Sequence, residues 1–215
     1  MIKINTYIFD LDGVIVDTAK YHFLAWKKLA DELGIDFTHE HNELLKGVSR
    51  IRSLEIILEL GNIQISDAEF DRCLNQKNKD YLTYIDKMDE SEILPGVLDA
   101  LNFIKGKGGK IVLGSASKNA KPILEKVGLV DYFDAIIDGN DVSKAKPDPE
   151  VFLLGAKKVN SKPEECVVFE DAVAGIQAAK NAGMISIGIG NKEVLNEADF
   201  VFKDFMEFDL KELKL

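Results

Sequence analysis

Cysteine is scarce in this chain: Cys73 and Cys166 stand alone, in no metal-like spacing, which argues against a disulfide framework and against a thiolate zinc site. Cys166 opens an apolar stretch and reads as a small buried hydrophobe. No apolar run approaches the length needed to cross a membrane, and the first residues enter a strand pattern directly, without the look of a signal peptide. A cytoplasmic protein is therefore expected. Positive charge is also short: 27 Lys and Arg face 37 Asp and Glu, for a formal net charge of −10. That balance disfavours bulk binding of nucleic acid or of an anionic membrane surface. Internal repeats and low-complexity segments are lacking as well.

What is present is an alternation of patterns. Residues 7–9 form a short apolar run that breaks into Asp10-Leu11-Asp12-Gly13. From about Lys20 to Met88 the spacing is helical with almost no strand signal. Tyr21, Ala25, Leu29 and Leu33 recur every four residues before Gly34, Leu54, Ile57 and Leu58 mark a second helix, and Ser66-Asp67-Ala68-Glu69 opens a third that runs through Tyr81 and Tyr84. From Ile93 onward, strands at 110–114, 135–137, 167–169 and 185–187 alternate with helical stretches punctuated by Gly128 and Gly183. Asp148-Pro149-Glu150 reads as an N-cap followed by proline in the first helical position. Such alternation predicts an α/β fold, a doubly wound parallel sheet of Rossmann-like type covered on both faces. The expected organisation is a core of residues 1–16 and 90–215 interrupted by a helical cap of residues 17–89.

In an open parallel sheet the functional crevice lies at the carboxyl ends of the strands. Four groups fall at such points: Asp10 with Asp12, Ser115, Lys146, and Glu170 with Asp171. Each has a plain structural reading, as a turn, an N-cap, a solvated charge or a helix-end carboxylate. Their joint occurrence at consecutive strand ends favours chemistry. Two acidic groups two residues apart repel, so a cation, most simply Mg²⁺, is expected near them. The reaction class that fits is phosphoryl transfer: Asp10 as nucleophile, Asp12 as general acid and base, Ser115 holding a phosphate oxygen and Lys146 supplying positive charge. Mg²⁺ would be held by Asp10, Glu170 and Asp171.

This set resembles, motif by motif, the haloacid dehalogenase superfamily of phosphotransferases, and the helical insertion resembles that superfamily's small helical cap of C1 type. Within it, residues 17–27, Lys46-Gly47-Val48-Ser49-Arg50, Gln76-Lys77-Asn78 and Ser115-Ala116-Ser117-Lys118-Asn119 resemble the hinge, specificity loop, later cap motif and phosphate loop of β-phosphoglucomutases. The resemblance implies an isomerase that interconverts β-glucose 1-phosphate and glucose 6-phosphate through an aspartyl phosphate and β-glucose 1,6-bisphosphate. It also implies that the backbone carbonyl of Asp12 joins the metal ligands, and that Thr18, His22, Trp26, Lys46, Gly47, Val48, Ser49, Arg50, Lys77, Ala116, Ser117, Lys118 and Asn119 serve the substrate. A monomer acting on small sugar phosphates is expected. His22 and Trp26 share a helix face, where the imidazole could reach Asp12 or the hinge and the indole could wall a sugar ring or simply pack in the core. Asn119 could hold phosphate or cap the following helix. The chain departs from the family at Arg52, where an acidic residue is usual; the added cation either alters the cap loop or points outward. Two rival readings share the core residues, a sugar-phosphate phosphatase and a non-catalytic sugar-phosphate sensor.

Overall fold

Five of the six strands are nearly continuous runs of apolar residues, the pattern of parallel strands buried on both faces. In the computed structural model, which describes residues 4–207, β1 (Thr6–Phe9), β2 (Lys110–Gly114), β3 (Ala135–Ile137), β4 (Cys166–Glu170), β5 (Ile185–Ile189) and β6 (Phe200–Phe202) form one sheet. Its order is β3-β2-β1-β4-β5-β6, and every pairing is parallel. Side chains alternate across it. Phe9, Leu113, Val167 and Phe169 enter one core with α5 (Val97–Gly106) and α6 (Ala120–Lys126), whereas Ile8, Val112 and Val168 enter a second with α7 (Glu150–Lys158) and α8 (Val173–Asn181).

Register decides what meets at the top of the sheet. Phe9 pairs with Leu113 on one side and Phe169 on the other, and the rings of Phe9 and Phe169 stack at 4.6 Å, 6° from parallel. The Asp10 N–H then donates to the Phe169 carbonyl at 3.0 Å. Asp10 and Glu170, 160 positions apart in sequence numbering, therefore emerge as neighbours.

Between β1 and β2 lie α1 (Ala19–Glu32), α2 (His39–Glu43), α3 (Arg50–Gly61) and α4 (Asp67–Ile85), packed around their own apolar cluster that includes Trp26, Leu29, Phe37, Leu54, Ile57 and Cys73. The side chains of Ser49 and Ser66 cap α3 and α4 by accepting from Arg52 N–H and Glu69 N–H. Gly34, at φ +73°, ends the turn after α1. Helix α7 begins one residue later than the sequence suggests: Pro149 stands at the N-cap, and Asp148 accepts from the Glu150 N–H at 3.1 Å from one position further back. Helix α2 and strand β6 have no counterpart in the sequence reading, being five and three residues long. Among the described residues no helix is long and apolar enough to cross a membrane.

Candidate active site

The carboxyl ends of β1, β2 and β4 open into a cavity of about 450 Å³ roofed by the helical unit. Every site residue named from the sequence lines it except Thr18 and Glu170, which lie fully buried just behind its wall. The helical unit sits directly on the sheet unit here. A Cβ on Gly47, whose φ is +71°, would come within 2.8 Å of the Ala172 Cβ, so this loop can approach only as glycine.

At the floor, the Lys146 side chain is buried and its ammonium stands 2.6 Å from Asp10 Oδ1. It also donates to Glu170 Oε1 and lies 4.9 Å over the Phe152 ring. Burial by itself lowers an ammonium's pKa; the carboxylates of Asp10 and Glu170 outweigh it and hold Lys146 above its ordinary value. Glu170 Oε2 accepts from the Ala172 N–H at 3.1 Å, and the glutamate is pushed up to about 7, by burial first and against the pull of Lys146. Gly175 makes room for it: a Cβ there would fall 1.9 Å from Glu170 Cδ. Asp171 is raised well above the usual carboxylate range by burial and by Glu170 and Asp10, with Lys46 Nζ 3.6 Å from its Oδ2 opposing.

Asp10, Glu170 and Asp171 each present an oxygen, all within 4.8 Å of one another. Three hard oxygen donors crowded together suit Mg²⁺; burial first, and repulsion among these carboxylates second, raise Glu170 and Asp171. Glu170 retains acceptor capacity beyond its two hydrogen bonds. The Asp12 side chain turns away from this trio: its Oδ1 accepts from the Thr18 hydroxyl, and it is raised to about 6 by burial and by Asp10. A group poised there can hold a proton and release it near neutrality.

The roof differs from the sequence reading in several places. His22 Nε2 is 3.9 Å from Asp12 Oδ1, beyond hydrogen-bond distance, and its Nδ1 instead meets Lys77 Nζ at 2.9 Å. Burial, then Lys77 and Arg50, holds the imidazole well below its ordinary pKa. Lys77 is 2% exposed despite its polar stretch of α4, because the helix rotates it inward between the rings of Trp26 and Tyr81, each 4.6 Å from Nζ. Trp26 is thus both a member of the helical core and a wall of the cavity. Arg50 is half-buried, lines the cavity and makes no ion pair among the described residues. Arg52 points outward to Glu55 at 3.0 Å and Glu59 at 2.9 Å and is no part of the cavity.

The loop of residues 115–119 folds as two successive serine turns: Ser115 Oγ accepts from the Ser117 N–H at 3.1 Å, and Ser117 Oγ from the Asn119 N–H at 3.2 Å. Asn119 occupies the N-cap position of α6 without capping it through its side chain; its amide donates to Asn78 Oδ1 at 3.1 Å, joining sheet unit to helical unit. Tyr81 is a site residue that sequence reasoning passed over. Its place one turn after Lys77 on α4 was the available signal, and its ring lies 4.3 Å from His22.

Comparison with known proteins adds an independent finding. A family model described as haloacid dehalogenase-like hydrolase matches residues 4–183. The chain is 43% identical over 206 residues to a β-phosphoglucomutase of Bacillus subtilis (strain 168), covering 95% of this chain and 91% of that one. It is 34% identical over 179 residues to a phosphorylated carbohydrates phosphatase of Thermotoga maritima, covering 82% and 81%. Its fold is similar to the crystal structure of β-phosphoglucomutase from Clostridium difficile, with a TM-score of 0.93, 45% identity, and coverage of 97% of this chain and 94% of that one.

Proposed function

Since the chain belongs to the haloacid dehalogenase-like hydrolase family, we propose that it interconverts β-D-glucose 1-phosphate and D-glucose 6-phosphate, as an isomerase that moves a phosphoryl group by way of an aspartyl phosphate. One observation carries the reading beyond family membership. The cavity that holds the Asp10–Lys146 pair also holds Arg50, a guanidinium without a carboxylate partner among the described residues. A simple phosphatase needs one anion site; an enzyme that works through a bisphosphate needs two, at opposite ends of one sugar. Arg50 suits the second, as a planar bidentate donor.

In this mechanism Asp10 attacks phosphorus and Lys146 steadies the charge that gathers on the transferring group. Asp12 gives its proton to the leaving oxygen, then takes the proton of the sugar hydroxyl that accepts the phosphoryl group in the next half-reaction. Ser115 holds an oxygen of the transferring phosphate, with Ala116 and Lys118 shaping that pocket, while Ser117 and Asn119 join Arg50 at the second phosphate. Lys46, Gly47, Val48, Ser49, His22 and Lys77 bind from the roof, while Thr18 orients Asp12 and Trp26 walls the ring. Mg²⁺ fits Asp10, Glu170, Asp171 and the Asp12 carbonyl, and when bound it supplies charge that lets an anionic nucleophile approach an anionic phosphate. β-Glucose 1,6-bisphosphate is the intermediate that the two half-reactions share, and it also primes Asp10. Seating of the roof excludes water, which would otherwise hydrolyse the aspartyl phosphate. The residue division into a core of 1–16 and 90–215 and a cap of 17–89 belongs to the same proposal, as does action as a cytoplasmic monomer on free sugar phosphates.

The experiment is a product assay on purified protein with β-glucose 1-phosphate, Mg²⁺ and a trace of the bisphosphate. Glucose 6-phosphate as the main product is expected, and Asp10→Asn is expected to abolish it in a protein that still folds. Inorganic phosphate as the main product would replace the isomerase with a phosphatase.

A further inference from the structure

The two crossings between the sheet unit and the helical unit run side by side. Val16 and Ile93 form an antiparallel bridge, the Asp17 N–H donates to the Glu92 carbonyl at 3.0 Å, and the Leu94 N–H donates to the Ile15 carbonyl at 3.0 Å. Glu92 ends a 3₁₀ turn (Glu90–Glu92) on the returning crossing. Its side chain, 13% exposed, reaches back to the outgoing one. Oε2 accepts from Lys20 Nζ at 2.5 Å and Oε1 from the Tyr21 hydroxyl at 2.5 Å, both in the first turn of α1. The Tyr21 ring stacks on Tyr84 at 6.0 Å, in the last turn of α4, so the end of the helical unit is tied to the same point.

Helix α1 is what this carboxylate holds. Thr18 at its N-cap donates to Asp12, and one and two turns on, His22 and Trp26 enter the cavity. A small rotation of α1 about its first turn would move Thr18, His22 and Trp26 together, lifting the roof from Asp10. On the far side Gly47 approaches the sheet unit so closely that a Cβ there would fall 2.8 Å from the Ala172 Cβ.

We propose that Glu92 is a positioning residue: by clamping the first turn of α1 to the returning crossing, its carboxylate sets the seating of the roof and so decides whether phosphorylated Asp10 is emptied by a sugar or by water. The inference rests on the isomerase reading. In transfer, the Asp10 Oδ–phosphorus bond breaks, a bond from phosphorus to a sugar hydroxyl oxygen forms, and that hydroxyl's proton passes to Asp12. In hydrolysis, water takes the place of the hydroxyl, inorganic phosphate leaves, and Asp10 returns to a carboxylate. The two outcomes differ only in which oxygen reaches phosphorus, so their ratio reports the seating of the roof.

The test compares Glu92→Ala, Glu92→Gln and Tyr21→Phe with the unaltered protein, all with Mg²⁺. One arm supplies β-glucose 1-phosphate and β-glucose 1,6-bisphosphate and measures phosphate released per glucose 6-phosphate formed. A second arm supplies acetyl phosphate without sugar and measures phosphate release alone. Glu92→Ala is expected to raise the ratio in the first arm at least threefold, with Glu92→Gln raising it less, because an amide oxygen still accepts from one donor. A purely structural role would lower the melting temperature and leave the ratio alone; a change below threefold in folded Glu92→Ala overturns the proposal. Should Glu92→Ala fail to fold, Tyr21→Phe is judged by the same threshold. Should the unaltered protein form no glucose 6-phosphate, the isomerase reading falls, and Glu92 is judged in the acetyl phosphate arm: a rise of threefold or more supports the clamp, and a smaller change overturns it.

Discussion

Replacing Lys146 by methionine removes one cation from between two buried carboxylates and keeps most of the side-chain volume. In the folded protein Lys146 Nζ lies 2.6 Å from Asp10 Oδ1 and also donates to Glu170, with both the lysine and the glutamate side chains 1% exposed. Water cannot replace the lost ammonium. Breaking such a buried pair from one side leaves uncompensated charge and costs about 3–5 kcal/mol. For a chain of this length that corresponds to a fall in melting temperature of roughly 6–20 °C. The sign with pH is specific. Lys146 has its folded pKa raised above the unfolded value, so its stabilisation is fully present below the unfolded pKa, near 10.5, and is lost only as pH rises through the folded one. The deficit of Lys146→Met should therefore be large at pH 8, and should shrink at pH 5, where Glu170, already raised to about 7 and freed from the lysine's pull, is protonated. Adding Glu170→Leu to the variant should recover part of the loss, because no orphan carboxylate then remains at that end. Phosphoryl transfer should fall by about 10²–10³-fold or more from the missing charge stabilisation. Thermal melts at the two pH values, with and without Mg²⁺, together with the product assay, make the check. A melting temperature within about 2 °C of the unaltered protein at pH 8 would refute the reasoning.

Further outcomes follow from the same electrostatics. Lys77, held well below its ordinary pKa by burial and by Arg50, destabilises the folded state at neutral pH, since the unfolded chain binds the proton more tightly. Lys77→Met should stabilise the protein by about 1–4 kcal/mol in thermal melts. Steady-state kinetics should at the same time show KM for the sugar phosphate rising by up to roughly tenfold, from loss of a hydrogen bond to the substrate; a fall in both stability and KM would contradict this account. Without metal, the raised carboxyls of Glu170 and Asp171 bind protons more tightly in the folded state, so stability should fall as pH rises from about 4.5 through about 7, by about 3 kcal/mol for Glu170 alone. Mg²⁺, which takes the deprotonated carboxylates, should stabilise the protein more at pH 8 than at pH 5; equal shifts in melting temperature at both would sink the idea that these carboxylates hold it.

How far the site could be read in advance depends on how each residue is placed. Asp10, Ser115, Lys146, Glu170 and Asp171 announce themselves because an apolar run that stops in a polar residue marks a strand end, and parallel strands align their ends. The inward face of α4 gave no such sign. Its stretch around Lys77 is polar, and only packing against α1 turns the lysine under Trp26 and Tyr81. Arg52 posed the opposite problem: a conspicuous cation that the structure sends to Glu55 and Glu59, outside the cavity. Asn119 sits where a cap belongs, yet reaches Asn78 because the helical unit lies within its range.

The sequence by itself determined the sheet, the helical insertion and the cast of carboxylates, since these depend on periodicities of two and 3.6 residues and on local capping. Tertiary structure alone decided that Asp12 leans to Thr18 and away from the trio of Asp10, Glu170 and Asp171, that Arg50 lines the cavity, and that Glu92 grips Lys20 and Tyr21. Those are contacts between segments whose separation along the chain carries no pattern; they exist only once the helical unit has settled on the sheet and water has been squeezed from between them.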